Sequence, residues 1–592
     1  MKARYLFASA ALAGALAACN FADLDPIDSL TDQSYWTSVN DLKLYATSLY
    51  GNLDAPGVGK DAVSDHHVTT SYSAWLFDES IVPASGGGWD AGSWSNIRSC
   101  NVFLGRYRRV AGAEADINRY VAEVRFFRAL DYYGKVKTFG DVPWYDTELQ
   151  TTDTEQLYKA RDSRDFVLSK IIEDLDFAIA WLPDGGSEER GRLSKDAARQ
   201  QLARVCLYFG TYKKYHSVGG SPSSADLLAR ARDLTAAIMA TGRYSIVQGS
   251  DNGASQMPFE GYPLHYSNQF VQADLSGNAE CILARYYSFG EVTHETGRQA
   301  GSTGIGLSRA FVESFLCTDG KPISVSTLYQ GGKDNATLED EFAGRDPRMY
   351  QIVDNPHKPY LITNGVREVN ARPNVASNEA VTGYPCVKYR SPLQSQWEAR
   401  STDYDWFVYR YAETLLINAE AHAELGTCTQ EVLDRTIEPI RDRVGMPGLN
   451  VTPERDTQGI DYGYDVSDLI REIRRERGIE LVCEGHRYDD LVRWNAMKLL
   501  EDPKTVFGIR ITDAVRADYA ANNVTFGGAD GRPTAEYRGS TYLYQYAASK
   551  PLGADGSLPA GRKWSATDKR WLNPLPTDQL TLNPNLRQNP GW

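Results

Sequence analysis

From residue 114 onward the apolar positions recur largely at steps of three and four: Ile117, Val121, Val124, Phe127 and Leu130, then Phe166, Ile171, Leu175, Ile179 and Leu182. That spacing lines one face of a helix and predicts two amphipathic helices. A third is predicted from Ser194, whose hydroxyl suits an N-cap, to Tyr215. A fourth runs from Ser223 to Thr241 and closes at Gly242. A second block starts near Asp405 with Tyr409, Thr414, Ile417, Ala421 and Leu425, continues from Thr429 to Arg443, and ends with Val466 to Leu500. Paired helices rich in Ala and Tyr, joined by short turns, predict tetratricopeptide-like units in which each pair covers the apolar face of the next. These units lie within about 114–242 and 405–500. Segments 51–101, 248–397 and 503–592 are instead rich in Gly, Pro, Asn, Asp, Ser and aromatics, and read as a loop-rich lobe with short strands. The expected fold class is therefore mostly α, and residues 19–592 are read as a single domain.

The first residues do not belong to this scaffold. Lys2 and Arg4, an apolar run from Tyr5 to Ala17 and the close Leu16-Ala17-Ala18-Cys19 form a bacterial lipoprotein signal, so residues 1–18 are expected to be removed. Acyl chains on Cys19 would then tether the protein to outer-membrane lipid. Hydrophobic residues make up 42% of the 592-residue chain, enough for a large core. The net charge of −14, with no long Lys/Arg run, excludes nucleic acid as a partner. Besides Cys19, seven cysteines are scattered without a C-x-x-C pair, and no H-E-x-x-H is present among eight histidines. Neither a disulfide framework nor a zinc site is expected. No cofactor is expected; loop Asp and Asn residues permit a structural calcium but lack EF-hand spacing.

Four stretches and the last words of the chain carry a resemblance. Residues 22–53 (ADLDPIDSLTDQSYWTSVNDLKLYATSLYGNL) place Trp36 at the entrance of a first helix, and residues 122–146 (AEVRFFRALDYYGKVKTFGDVPWYD) end an Arg- and aromatic-rich helix in a Phe-Gly-Asp-Val-Pro turn. Residues 410–425 (RYAETLLINAEAHAEL), 473–494 (IRRERGIELVCEGHRYDDLVRW) and 573–592 (NPLPTDQLTLNPNLRQNPGW) complete the set. Together they resemble the SusD/RagB family of nutrient-binding outer-membrane lipoproteins. The resemblance implies four tetratricopeptide-like helix pairs and a ligand-holding loop face. It also implies a SusC-like TonB-dependent transporter as partner, a glycan as ligand, and a position on the outer membrane facing the exterior. It implies capture without chemistry, so no enzyme is expected. An oligopeptide-binding family member and a surface glycoside hydrolase are the alternatives.

The candidate binding residues follow from aromatic content, 12 Trp and 35 Tyr, many of them in loops. Sugar C–H faces pack on aromatic rings while hydroxyls take hydrogen bonds from planar polar side chains. Trp75, Trp89 and Trp94, with Asp78, Asn96, Arg98 and Asn101, form the leading platform. The resemblance adds a later loop, at Tyr286 and Tyr287 or at Trp397. The alternative for Trp94 and Asn101 is that they open and cap the helix that follows, and for Trp36, Trp144 and Trp494 packing is favoured. Glu476, Glu480 and Glu484, at i, i+4 and i+8 among Arg471, Arg474, Arg475, Arg477 and Arg487, are read as an ion-pair lattice between helices, not a catalytic carboxylate pair. Arg125, Arg128 and Asp131 are read likewise. Gly301-Ser302-Thr303-Gly304-Ile305-Gly306 has no buried strand leading into it and is read as a loop, not a phosphate cradle.

Overall fold

A computed structural model describes residues 35–249, 256–375, 380–528, 530–544, 550–553 and 556–592. The signal and Cys19 lie outside the described residues. Ten helices carry the scaffold: α1 (Val39–Ser48), α2 (Ser95–Arg106), α3 (Glu114–Phe139), α4 (Arg164–Trp181), α5 (Lys195–Tyr215), α6 (Ser224–Met239), α7 (Tyr411–Glu424), α8 (Gln430–Thr436), α9 (Asp468–Glu480) and α10 (Arg487–Arg493). The predicted caps are present. Ser194 accepts from the Ala197 N–H at 3.2 Å, and Ser223 shares a reciprocal capping box with Asp226.

α3 packs on α4, α4 on α5, α5 on α6, α6 on α7 and α7 on α9, so the helix pairs stack in sequence, and α10 returns to α5. Small residues permit the closest approach. A Cβ added at Gly210 on α5 would sit 2.9 Å from Leu228 Cγ and 3.2 Å from the Leu228 backbone nitrogen on α6. Replacing Gly210 by Leu is expected to push these helices apart and destabilise the protein by ~1–3 kcal/mol, read as a lower denaturation midpoint. An unchanged midpoint would show that the α5–α6 contact is pliable.

Three predicted helices are interrupted, each for a local reason. The segment predicted to be helical from Asp405 begins as strand β6 (Trp406–Arg410), because its Trp-Phe-Val-Tyr run favours the pleated, half-buried surface. Pro439 lies in the first turn of a new short helix (Glu438–Asp442), so the run from Thr429 to Arg443 divides there. The run from Val466 to Leu500 breaks between α9 and α10, where Cys483 and Gly485 adopt φ of 66° and 83°.

The lobe is built from antiparallel pairs: β1 (His67–Val68) with β3 (Gly306–Leu307), β2 (Cys281–Arg285) with β6, and β4 (Leu361–Thr363) with β5 (Val366–Glu368). β7 (Phe507–Arg510), β8 (Thr534–Tyr537) and β9 (Ser540–Tyr544) form a three-stranded sheet in the order β7-β9-β8. Gly304 and Gly306 of the glycine-rich loop bridge to Ala380 and Pro385, so that loop is part of this framework. A large core runs through the helices, and a second one joins the lobe to the end of α9.

The glutamates of α9 and its C-terminal turn do form an ion-pair lattice, but it is buried and its partners come from other elements. Glu476 accepts from Arg348 at 2.5 Å and Arg441 at 2.8 Å. Glu480 accepts from Arg410 at 2.8 Å and Arg443 at 2.5 Å, and Glu484 from Arg410 and Lys388, both at 2.6 Å. Arg125 and Arg128 likewise meet Asp174 of α4. Trp494 is wholly buried, its indole N–H donating to Glu420 at 2.6 Å, and Trp36 and Trp144 are core residues as well.

Candidate functional site

A cleft of about 430 Å³ opens where the helical scaffold meets the lobe. Leu130, Tyr133, Gly134 and Lys137 enter it from one face of α3, at i, i+3, i+4 and i+7, and Gln201 and Arg204 enter from α5. The opposite wall carries Phe270, Tyr389, Asp405 to Val408, Glu484 to His486, and Asp489. Aromatic groups crowd that wall: Tyr389 lies 4.7 Å from Trp406 between ring centroids, and Phe270 meets Phe407 edge-on at 6.1 Å.

The charged groups around the cleft are paired across it or along it. Lys60 forms an ion pair with Asp54 and lies 4.6 Å from the Trp406 ring, while the Trp406 indole N–H donates to the same carboxylate at 3.1 Å. Lys137 pairs with Asp489 and sits 4.5 Å from the Tyr133 ring. Arg204 grips Glu413 through two hydrogen bonds of 2.8 and 2.7 Å. Burial would raise the Glu484 carboxyl, but Arg410 and Lys388 outweigh it and hold the group down at about 2. Burial pushes Asp405 up to about 6, yet its oxygens accept the Leu275 and Tyr287 backbone N–H groups at 2.9 Å each. Burial, with Arg204 and Arg477 nearby, keeps the His486 imidazole neutral.

The expected platform is not one surface. Trp89 is only 4% exposed and packs edge-on against Phe139 at 4.9 Å, so its expected role as a ligand contact is corrected to a core role. Asn101 is corrected in the same way. At 1% exposure it donates to the Tyr145 and Thr147 carbonyls and accepts from Arg128. Trp94 is half-buried, between Tyr132 and Tyr145 with the Lys135 ammonium 4.5 Å away. These rings rest on the stripe of α3 that holds Arg128, Tyr132, Lys135 and Phe139, the side turned away from the cleft.

The remaining candidates are dispersed. Asn96 stands in the first turn of α2, and the exposed Arg98 reaches Glu148 and the Leu149 carbonyl. Trp75 donates to the Tyr488 hydroxyl at 3.1 Å and stacks on Trp592 at 5.9 Å, and Asp78 pairs with Lys569. Tyr286 lies under the Arg190 guanidinium at 4.0 Å, and Trp397 under that of Arg390 at 3.3 Å. Tyr287 is nearest to the cleft, joined to Asp405 through its own backbone N–H. Sequence reasoning missed Lys60, Tyr133, Lys137, Phe407, His486 and Asp489. The i, i+3, i+4, i+7 stripe on α3 is a signal that could have pointed to Tyr133 and Lys137.

A second hollow, about 540 Å³, lies beside the β8–β9 hairpin, with Tyr537, Arg538 and Lys563 in its lining. It is the larger, but it has one aromatic ring where the junction cleft has five. Among the described residues no group of three His, Cys, Asp or Glu side chains is arranged to hold a metal ion.

Stacked helix pairs carrying a loop-rich lobe, with an aromatic and polar cleft at their junction, define a scaffold-and-lobe binding protein rather than a closed barrel or a bare solenoid. The comparisons with known proteins make this specific. The family model described as "SusD family" matches residues 251–592, and one described as "Starch-binding associating with outer membrane" matches residues 37–207. The chain belongs to the SusD family.

Among curated relatives, SusD-like protein P2 of Formosa agariphila is 22% identical over 503 residues, 81% of this chain and 88% of its own length. Among solved structures, a SusD-like protein of Bacteroides fragilis is similar with a TM-score of 0.68 at 22% identity, over 96% of this chain and 100% of that one. A SusD-like carbohydrate-binding protein of the same organism has a TM-score of 0.64 at 21% identity, over 93% and 100%. A laminarin-binding SusD-like protein has a TM-score of 0.52 at 20% identity, over 94% and 100%. The fold is thus that of the family throughout.

Proposed function

We propose that this protein captures a neutral oligo- or polysaccharide at the outer surface of the outer membrane and passes it, chemically unchanged, to a SusC-like TonB-dependent transporter. Acyl chains on Cys19 hold it there. The observation that carries the ligand class is the charge balance of the junction cleft. Lys60, Lys137, Arg204 and Glu484 each already have a partner of opposite sign and Asp405 is taken up by backbone donors, while aromatic side chains and hydrogen-bonding edges line the same walls. Such a surface suits many hydroxyls and apolar C–H faces better than a free ion. The carboxylates of the cleft support capture over hydrolysis. A glycosidase needs a protonated acid facing a second carboxylate across the bond, whereas Glu484 is held ionised by two cations and Asp405, the raised one, is taken up by backbone donors.

Calorimetric titration with a polysaccharide panel tests this reading. Replacing Phe407 by Ala together with Asp489 by Asn is expected to weaken the binding of the best glycan at least tenfold, about 1.4 kcal/mol or more. Unchanged affinity in that variant would remove the cleft from recognition, and affinity for oligopeptides alone would replace glycan capture with peptide capture. Release of reducing ends by the purified protein would overturn the non-catalytic reading.

A further inference from the structure

Two of the scattered cysteines meet. Cys386, itself bridged to Val353 in the lobe, and Cys483, in the turn after α9, are 97 positions apart in sequence, yet their sulfur atoms lie 3.1 Å from each other. Both backbones are fixed on either side of this contact. The Lys388 ammonium donates to the Val482 carbonyl at 2.8 Å, the Tyr389 hydroxyl donates to the Cys483 carbonyl at 3.3 Å, and Asp61 accepts the Cys483 N–H at 2.7 Å. Cys483 also holds φ at 66°, a left-handed conformation that costs a non-glycine residue free energy unless its surroundings impose it. These contacts aim the two side chains at each other.

We propose that Cys386 and Cys483 form a disulfide in the exported protein. The proposal rests on the export reading given above, because disulfides persist outside the cytoplasm and are rare within it. A shared metal is the competing use of two thiols beside a histidine, since His67 Nε2 is 3.5 Å from Cys483 Sγ. The sulfurs are too close for it. Two thiolates on a tetrahedral zinc, each bonded at ~2.3 Å, stand roughly 3.7 Å apart.

The chemistry balances through exchange with an oxidised dithiol oxidoreductase. The Cys386 thiolate attacks the oxidoreductase disulfide, forming a mixed disulfide and releasing one oxidoreductase thiolate. The Cys483 sulfur, having lost its proton, attacks Cys386 Sγ and expels the second thiolate. Two electrons pass from the cysteine pair to the oxidoreductase, whose disulfide becomes two thiols. Cys483 is fully buried in the folded chain, so the exchange precedes closure of the lobe over α9.

The bond would sit directly behind the junction cleft. Glu484, Gly485 and His486 follow one cysteine and Tyr389 lies three residues after the other, and all four line the cleft. Closing so long a loop would tie these two segments of its wall together and restrict the unfolded chain.

The full-length protein, exported and purified without reductant, is alkylated with N-ethylmaleimide in denaturant and digested. Cys386 and Cys483 are expected to be unmodified and joined in one non-reduced peptide pair, with Cys100, Cys206, Cys281, Cys317 and Cys428 alkylated. Alkylation of both Cys386 and Cys483, or a link from either to another cysteine, overturns the proposal. Dithiothreitol is expected to lower the melting temperature of the wild type by roughly 2–4 °C and to leave that of Cys386→Ser unchanged. A wild-type melting temperature indifferent to reductant overturns it as well. Recovery of the chain in the outer-membrane fraction reports on export separately from the alkylation pattern.

Discussion

Replacing Glu480 by alanine is expected to cost the protein about 3–5 kcal/mol of stability, the typical penalty for removing one partner of a buried ion pair. Glu480 is completely buried on α9. One of its carboxylate oxygens accepts from Arg410 at 2.8 Å and Arg443 at 2.5 Å, and the other from Arg348 at 3.2 Å. Burial alone would raise this carboxyl, but Arg443, Arg410 and Arg348 together hold it far below the usual carboxylate range. Without it, three buried guanidinium groups share fewer carboxylates. Arg443 retains Glu280 at 2.7 Å, Arg410 retains Glu484, and Arg348 retains Asp346 and Glu476. Those remaining contacts place the cost within a few kcal/mol instead of abolishing folding. Denaturant unfolding of wild type, Glu480→Gln and Glu480→Ala measures it, with the glutamine variant between the other two because its amide oxygen still accepts. A loss below 1 kcal/mol for alanine would mean that water or neighbouring carboxylates compensate for the missing charge.

Stability is expected to fall in two stages as the solution is acidified. Burial holds His67 and His216 down at about 4, and holds His66 and His486 well below the ordinary imidazole range. An unfolded histidine titrates near ~6.5, so between there and about 4 the unfolded chain binds more protons, and stability drops as pH falls through this window. Asp61 and Asp405, raised by burial to about 6, act in the opposite sense and offset part of this first stage. The second stage belongs to paired carboxylates. Burial opposes the charge of Asp65, Glu484 and Asp490, but Arg487, then Arg410 with Lys388, then Arg477 with Arg493, hold them at about 2. Their contribution is complete above the unfolded values near ~4 and is lost as pH drops toward 2, at ~1.4 kcal/mol for each unit of depression. Urea midpoints measured from pH 7 to pH 3 should therefore decline gently and then steeply. A midpoint that stays level to pH 3 would contradict the ion-paired core.

The helical framework was legible because its signals are local. The stripe on α3 and the serine caps of α5 and α6 each depend on residues within a few turns of one another. Where the pattern misled, a second local preference competed with it: the aromatic and β-branched run before Tyr411 formed a strand, and Pro439 divided a helix. The binding platform was less legible. Trp89, Trp94 and Asn101 satisfied every compositional criterion for a recognition loop, but the same apolar area and amide groups serve equally to cover α3 and to fasten the 145–147 turn.

Sequence alone determined the class of this protein: stacked helix pairs, a loop-rich lobe and the motifs of the SusD family, all written in spacings of a few residues. Tertiary structure decided which groups share a surface. The junction cleft draws on segments from Asp54 to Asp489, and the Cys386–Cys483 contact joins positions 97 apart. It also replaced the expected arginine partners from the same segment with distant ones and buried the lattice, with Arg348, Arg410, Arg441 and Arg443 answering the glutamates of α9 and the turn after it. The reason is that a local pattern specifies which face of an element is apolar, whereas the partner that meets each polar group is chosen only when distant elements pack.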